Sequence, residues 1–341
     1  MKKHKNIGLF TSVYSYFLYL LIKGYNEDDI IIVHASFPKE ISKNIKSIRM
    51  PDAPFKYGPK MAPLNSINGI FKNIIGYCNY FYGYIKLRIL LFIKTFGCEI
   101  EVYGHAQSPY SFMFYENENA YIIEDGLPNY SQDICETHKI NPILDTILHI
   151  CGIYFLSVNE ALGSHKNIKK VYLTNYFDHP LIKDKVEVIN LEERWNNFSD
   201  KQQKEILEIF NVNLDNINFN DEIVLILTQA FFEQDISTLE EEIKIYEKFI
   251  EKFKEYNLII KPHPRDLKNY KKIFDNINVL DKDFPIELLN LIGIKPKIVC
   301  SIVSNAVLNF EGSEIYIYKG ELKNERMKKA REDLIKLLEN Q

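Results

Sequence analysis

Three apolar runs in the second half of the chain stop abruptly at polar groups, and this repetition limits the fold more than any other feature. Leu258-Ile-Ile260 runs into Lys261-Pro262-His263-Pro264-Arg265-Asp266, Val224-Leu-Ile-Leu227 into Thr228-Gln229, and Ile298-Val-Cys300 into Ser301-Ile-Val-Ser304-Asn305. Short, uninterrupted apolar runs suit strands of an open parallel sheet, and ligands bind at the carboxyl ends of such strands. A fourth run, Ala120-Tyr-Ile-Ile123, lies far upstream and ends at Glu124-Asp125-Gly126-Leu-Pro128. That composition makes a tight turn with a carboxylate aimed off the sheet edge.

The rest of the chain alternates strand and helix patterns. Ile7 to Phe10, Asp29 to Val33, Glu99 to Tyr103, Ala120 to Ile123, Lys170 to Thr174 and Lys185 to Ile189 read as strands of a first domain. Helices are expected over 11–23, 65–96, 143–157 and 200–210, and an irregular loop over 50–65 around Pro51, Pro54, Pro59 and Pro63. The asparagine-rich stretch 211–221 reads as a linker. Beyond it, strands at 223–228, 258–261, 278–279, 297–301 and 315–318 alternate with helices over 236–255, 267–274, 286–291 and 322–338. A chain of 341 residues exceeds the usual reach of one core. Two α/β domains, 1–210 and 211–341, follow, with an acid on one and a histidine on the other facing a shared cleft.

Bulk composition mainly excludes. A net charge of -4 gives no case for nucleic acid. The five cysteines are odd in number and without a CxxC pair, which argues against a disulfide framework or a zinc site and fits a reducing compartment. Thr11, Ser12 and Ser15 interrupt the apolar amino terminus, so it reads as strand, loop and helix rather than a leader. The Tyr- and Ile-rich stretch 65–96 reads as a packing helix or helix pair; a peripheral contact with anionic lipid is the alternative. Walker, Gly-x-Ser-x-Gly and Gly-x-Gly-x-x-Gly sequences are absent.

Each chemical candidate has a plainer reading beside it. Asp125 suits a general base on a substrate hydroxyl, or is a turn former before Gly126. His263, stiffened by a proline on either side, suits a cation that neutralises or protonates a leaving phosphate, with Lys261 beside it. Its plainer reading is a structural hydrogen bond. Ser301, Ser304 and Asn305 stand where a strand would feed a helix, an anion site or an ordinary N-cap. Glu287 suits a ribose diol, or is a first-turn acid. Thr228 and Gln229 are binding candidates by position alone. Asp281-Lys-Asp283 has a metal-binding form but sits in a charged loop, and Asp178-His179-Pro180 lacks the approach of a clear strand.

Taken together, Glu124-Asp125-Gly126, Lys261-Pro-His263-Pro264 and the Ser301/Ser304 cluster resemble bacterial sialyltransferases, most closely glycosyltransferase family 52, over nearly the whole chain. That resemblance implies a GT-B-type fold, two Rossmann-like domains facing each other across a cleft. It implies inverting transfer of sialic acid from CMP-sialic acid to a terminal galactose of lipooligosaccharide or capsular polysaccharide, without a metal or other cofactor. By position, Asp125 is then the base, His263 the phosphate contact, Ser301 and Ser304 the phosphate-binding serines and Glu287 the ribose acid. The family's serines are often adjacent, whereas Ile302 and Val303 separate them here. A cytoplasmic protein at the inner membrane face and a homodimer are further expectations. The rivals are another nucleotide-sugar donor, a non-catalytic glycan-assembly protein and a sugar-nucleotide epimerase.

Overall fold

The computed structural model describes residues 3–35, 37–50, 82–106, 111–130, 160–212, 222–275, 277–310 and 312–339. The expected loop at 51–65, the first half of the 65–96 helix, the helix at 143–157 and most of the linker lie outside them. The chain divides into two compact units, Met1–Ile209 and Phe210–Gln341.

The first unit holds a parallel sheet of β1 (Lys3–Phe10), β2 (Ile30–Val33), β3 (Ile48–Arg49), β4 (Cys98–Gly104), β5 (Ala120–Ile123), β6 (Ile168–Leu173) and β7 (Val186–Val188). Their order is β3-β2-β1-β4-β5-β6-β7, so the winding reverses between β1 and β4. Parallel strands covered on both faces read as unbroken apolar runs, and every residue of β2 is buried. Ser12 starts the helix Val13–Lys23, its hydroxyl accepting from Ser15 N at 3.1 Å, and Gly24 ends it at a φ of 74°. Gly104 closes β4 onto β1 at a φ of 127°, where a Cβ would lie 2.0 Å from Leu9 O. Only glycine permits that approach.

The second unit holds β8 (Ile223–Leu227), β9 (Asn257–Lys261), β10 (Asn278–Val279), β11 (Ile298–Ser301) and β12 (Glu314–Ile317), all parallel, in the order β10-β9-β8-β11-β12. Leu227 pairs with both Lys261 and Ser301, so three of the apolar runs end at one level of the sheet. A capping box at Thr238 and Glu241 starts the helix Leu239–Lys252, which packs Tyr246 and Phe249 into the core. Short helices at Lys39–Asn44, Phe112–Glu116 and Leu191–Asn196 were not expected; each is too brief to show a period.

Candidate active site

In the first sheet, three adjacent strands deliver polar groups to the carboxyl edge: Thr11 and Ser12 after β1, His105 after β4, and Glu124 and Asp125 after β5. Asp125 is half-buried, and its carboxylate accepts from Thr11 Oγ1 at 2.6 Å and from Ser12 Oγ. Its amide donates to Asn129 Oδ1 at 2.9 Å. Gly126 follows at a φ of 124°, which turns the chain away and suits glycine. Glu124 serves a different purpose. It is buried and accepts from Tyr130 Oη at 2.7 Å, Thr174 N at 2.7 Å and Thr174 Oγ1 at 2.8 Å, tying β5 to the end of β6.

Sequence reasoning missed four residues here. Thr11 and Ser12 were legible only as a break in the apolar amino terminus, and His105 and Asn129 had no motif. Among the described residues, the buried Nδ1 of His105 and Nδ2 of Asn129 have no hydrogen-bond partner. Buried polar atoms are normally satisfied, so these two, after β4 and after β5, are open to a further partner.

In the second unit, Thr228 links the ends of β8 and β9. Its hydroxyl donates to Asp266 Oδ2 at 2.7 Å and accepts from His263 N at 3.0 Å. Asp266 is buried, also accepts from Tyr270 Oη at 2.8 Å, and its amide donates to His263 O at 2.9 Å. Lys268 joins this cluster, with Nζ 3.1 Å from Asp266 Oδ1, 3.1 Å from Glu242 Oε2 and 3.0 Å from Glu233 Oε2. Gln229 N donates to Tyr246 Oη at 2.7 Å, and Tyr246 bonds Glu242 in turn. The Pro-His-Pro segment therefore stands on a buried ionic network, which the sequence concealed because Asp266 and Lys268 look like surface charges.

From sequence, His263 reads as a cation beside a phosphate or as the group that protonates it. Burial, then the neighbouring Arg265, pulls its pKa down to about 4, so the imidazole is neutral at pH 7. Nδ1 accepts from Arg265 N at 3.1 Å, which places the ring proton on Nε2 as a hydrogen-bond donor. A phosphate dianion arriving there would favour protonation.

Lys261 is engaged within the protein. Its ammonium is buried, donates to Lys282 O at 2.9 Å and lies 4.7 Å from the centre of the Phe284 ring. Burial lowers its pKa to about 8 against the opposing pull of Asp281, Asp283 and Glu287. It braces β9 against the 281–284 loop. Arg265 is exposed and has no ion pair among the described residues.

Ser301 is fully buried and its Oγ accepts from Ser304 N at 2.7 Å; Ser304 Oγ accepts from Ala306 N at 3.3 Å. The helix expected after β11 is instead one short 3-10 turn, Asn305–Asn309, too brief to sum to a helix dipole. Asn305 begins that turn; its side chain lies outside the described residues. Glu287 is half-buried and accepts from Asn309 Nδ2 at 2.8 Å, which holds it beside the serine turn.

The two decoys are local structures. Asp281 Oδ1 accepts from Asp283 N at 2.8 Å, and His179 Nδ1 from Leu181 N at 3.3 Å. Among the described residues no group of three His, Cys, Asp or Glu converges as a metal site. A cavity of about 270 Å³ lined by Tyr16, Tyr19 and Asp29 lies where the chain enters β2, away from the carboxyl-edge groups.

Each unit is a parallel α/β sheet with polar groups at its carboxyl edge, and comparison with known proteins gives the family. Residues 19–312 match the family described as "Alpha-2,8-polysialyltransferase (POLYST)", and the chain belongs to that family. A protein of Haemophilus influenzae (strain ATCC 51907 / DSM 11121 / KW20 / Rd), described only as uncharacterized, is 30% identical over 222 residues, 64% of this chain and 68% of its own. An alpha/beta-galactoside alpha-2,3-sialyltransferase of Photobacterium phosphoreum aligns with a TM-score of 0.53 at 12% identity, covering 98% of this chain and 96% of that one. A sialyltransferase of Photobacterium damsela aligns at 0.52 and 11%, covering 98% and 79%. At such identities these structures show the fold, a GT-B-type pair of Rossmann-like domains. The family is that of sialyltransferases, so the chain is a glycosyltransferase. The matched family is the polysialyltransferases, and the narrower likeness to glycosyltransferase family 52 gains nothing from it.

Proposed function

We propose that the protein transfers sialic acid from CMP-sialic acid to a hydroxyl of a bacterial surface glycan in a single inverting displacement. Asp125 takes the proton of the acceptor hydroxyl as that oxygen attacks the anomeric carbon, and the bond to the phosphate breaks on the opposite side. His263 donates its Nε2 proton in a hydrogen bond to the departing phosphate oxygen, while Ser304 supplies its hydroxyl from a turn that the buried Ser301 holds through Ser304 N. Glu287 is the acid assigned to the ribose diol. Lys261 holds the loop rather than the phosphate. Charge developing on the leaving group is met by fixed donors, so the reading needs no metal ion. The observation that carries it is the Asp125 carboxylate, ordered by two hydroxyls at a strand end in a chain of sialyltransferase family.

The acceptor separates two versions. The resemblance to glycosyltransferase family 52 implies terminal galactose, while the description of the matched family favours terminal sialic acid. Purified protein given CMP-sialic acid with a lactoside, and in parallel with a sialyl-lactoside, is assayed for CMP release and for product mass, with and without EDTA. Sialylated product on either acceptor, unchanged by EDTA, is expected. Absence of CMP release and product with both acceptors removes the reading. CMP release independent of acceptor would point to a hydrolase instead.

A further inference from the structure

β6 runs beside β5, and its register brings Thr174 to the level of Asp125: Ile123 pairs with Tyr172, and Glu124 N donates to Tyr172 O at 3.0 Å. The loop that leaves β6 there is pinned before and after Tyr176. Thr174 N donates to Glu124 Oε2 at 2.7 Å, and Asn175 N to Tyr130 Oη at 3.0 Å. Phe177 is buried, its ring edge-on to Tyr130 at 5.7 Å and stacked with His179 at 5.6 Å. Between these anchors Tyr176 is 70% exposed. Outside residues 82–96 it is the exposed aromatic side chain of the first unit among the described residues.

One exposed apolar side chain is ordinary, and loops are usually mobile. Tyr176 instead projects from a backbone tied to Glu124, the neighbour of Asp125 in the chain, and to Tyr130. That tyrosine closes the Leu127–Tyr130 turn, whose Asn129 accepts from Asp125 N. An aromatic ring held in this way offers contact area at low entropic cost, because few torsions remain to be fixed on binding. A pyranose suits such a surface: one face of the sugar ring is largely C–H, while its hydroxyls point outward to polar groups.

Charge narrows the choice of sugar. The described residues that follow β1, β4, β5 and β6 are 11–13, 105–106, 124–130 and 174–182. They include Glu124, Asp125 and Asp178 and neither Lys nor Arg. A ring bearing a carboxylate would meet these acids with no cation to offset them, and an uncharged ring would not be repelled.

We propose that Tyr176 is a sugar-binding residue, on which an uncharged pyranose of the acceptor glycan lays its C–H face beside Asp125. This deepens the assignment of sialyl transfer and rests on Asp125 as its base.

Direct binding tests it without turnover. Lactose and 3′-sialyllactose are titrated into wild type, Y176F and Y176A, while saturation-transfer NMR reads which sugar protons approach the protein. Wild type and Y176F are expected to bind lactose, with the strongest transfer to C–H protons of one ring face. Y176A binds it about tenfold more weakly, the order of one aromatic contact. Wild type binds 3′-sialyllactose more weakly than lactose. In turnover with CMP-sialic acid, Y176A raises the acceptor KM about tenfold and leaves kcat and the donor KM near wild type, the pattern of lost ground-state binding. Tyr176 is exposed, so both variants should keep the circular dichroism and melting of wild type. Lactose binding that is absent in wild type or unchanged in Y176A, or a preference for 3′-sialyllactose, overturns the proposal. Lactose binding that Y176A weakens, in a protein that releases no CMP, would sink sialyl transfer and keep Tyr176 as a sugar-binding residue, so the two failures are distinct.

Discussion

The two strand-end sites hold their key side chains in opposite ways. Asp125 is half-buried and fixed by the hydroxyls of Thr11 and Ser12, groups that can rotate and exchange partners with a bound sugar. His263 is fixed through its backbone to Thr228, and behind Thr228 stands the buried cluster of Asp266, Lys268, Glu242 and Tyr270. A base has to accept a proton and let it go, which suits adjustable partners. A donor aimed at a leaving group gains from having no freedom at all, because reorganisation during the reaction is what preorganisation removes. The contrast predicts that damage at the first site falls mainly on rate, and at the second on rate and stability together.

The largest effect is expected at the centre of the first site. Asp125→Asn keeps the shape and both hydroxyl partners but cannot take a proton, so kcat should fall about 10³-fold, the span of general base catalysis. Donor binding and melting temperature should remain near wild type. A variant that keeps its rate would dissolve the distinction, since Asp125 would then be only a turn former.

At the second site, His263→Ala should lower kcat about 10²-fold, the usual cost of one preorganised donor. The pH dependence adds a sharper test. The folded-state pKa of about 4 lies below the ordinary 6.5, so between these values the unfolded chain binds more protons and stability falls as pH is lowered. Wild type should therefore lose stability relative to His263→Ala across that window, by about 2 kcal/mol after allowing for partial exposure of the ring. Urea melts at several pH values measure it. The same low pKa puts any histidine limb of kcat/KM near pH 4. A limb near 6.5 would mean a cationic imidazole of the kind the sequence suggested.

How much of this the sequence disclosed follows the range of the interactions. Strands β5, β8, β9 and β11 were legible because each is an unbroken apolar run closed by a polar group, and burial of a parallel sheet demands that pattern. The serine turn was half legible: Ser301 ends its strand as expected, but only five residues of 3-10 turn follow, because Phe310 and the Gly312 reversal at a φ of 81° soon redirect the chain. The roles of Lys261 and Asp266 were not legible. Lys261 reads as a free cation until Lys282 O and Phe284 are brought to it from some twenty residues on. Asp266 reads as a loop acid until Thr228 arrives from the preceding strand. Ser12 and Asp125 are further apart still, 113 residues, and no local pattern announces such a bond.

The smallest effects separate the two sites most cleanly, through a matched pair of hydroxyl deletions. Thr228→Val keeps the side-chain shape but strips a hydroxyl that both donates and accepts, leaving His263 N–H and a lone pair of the buried Asp266 unanswered. Unmet buried polar groups of this kind cost about 2 kcal/mol, and kcat should fall about tenfold as the histidine support loosens. Ser12→Ala removes one hydroxyl from Asp125 and the N-cap from the helix Val13–Lys23. The cap is worth about 1 kcal/mol, and water can replace the lost donor to a half-exposed carboxylate, so the rate should change only about threefold. Thermal melts and kcat measured side by side decide the matter. If Ser12→Ala proves as costly as Thr228→Val in both, the first site is as rigidly built as the second, and the idea that its base depends on adjustable partners fails.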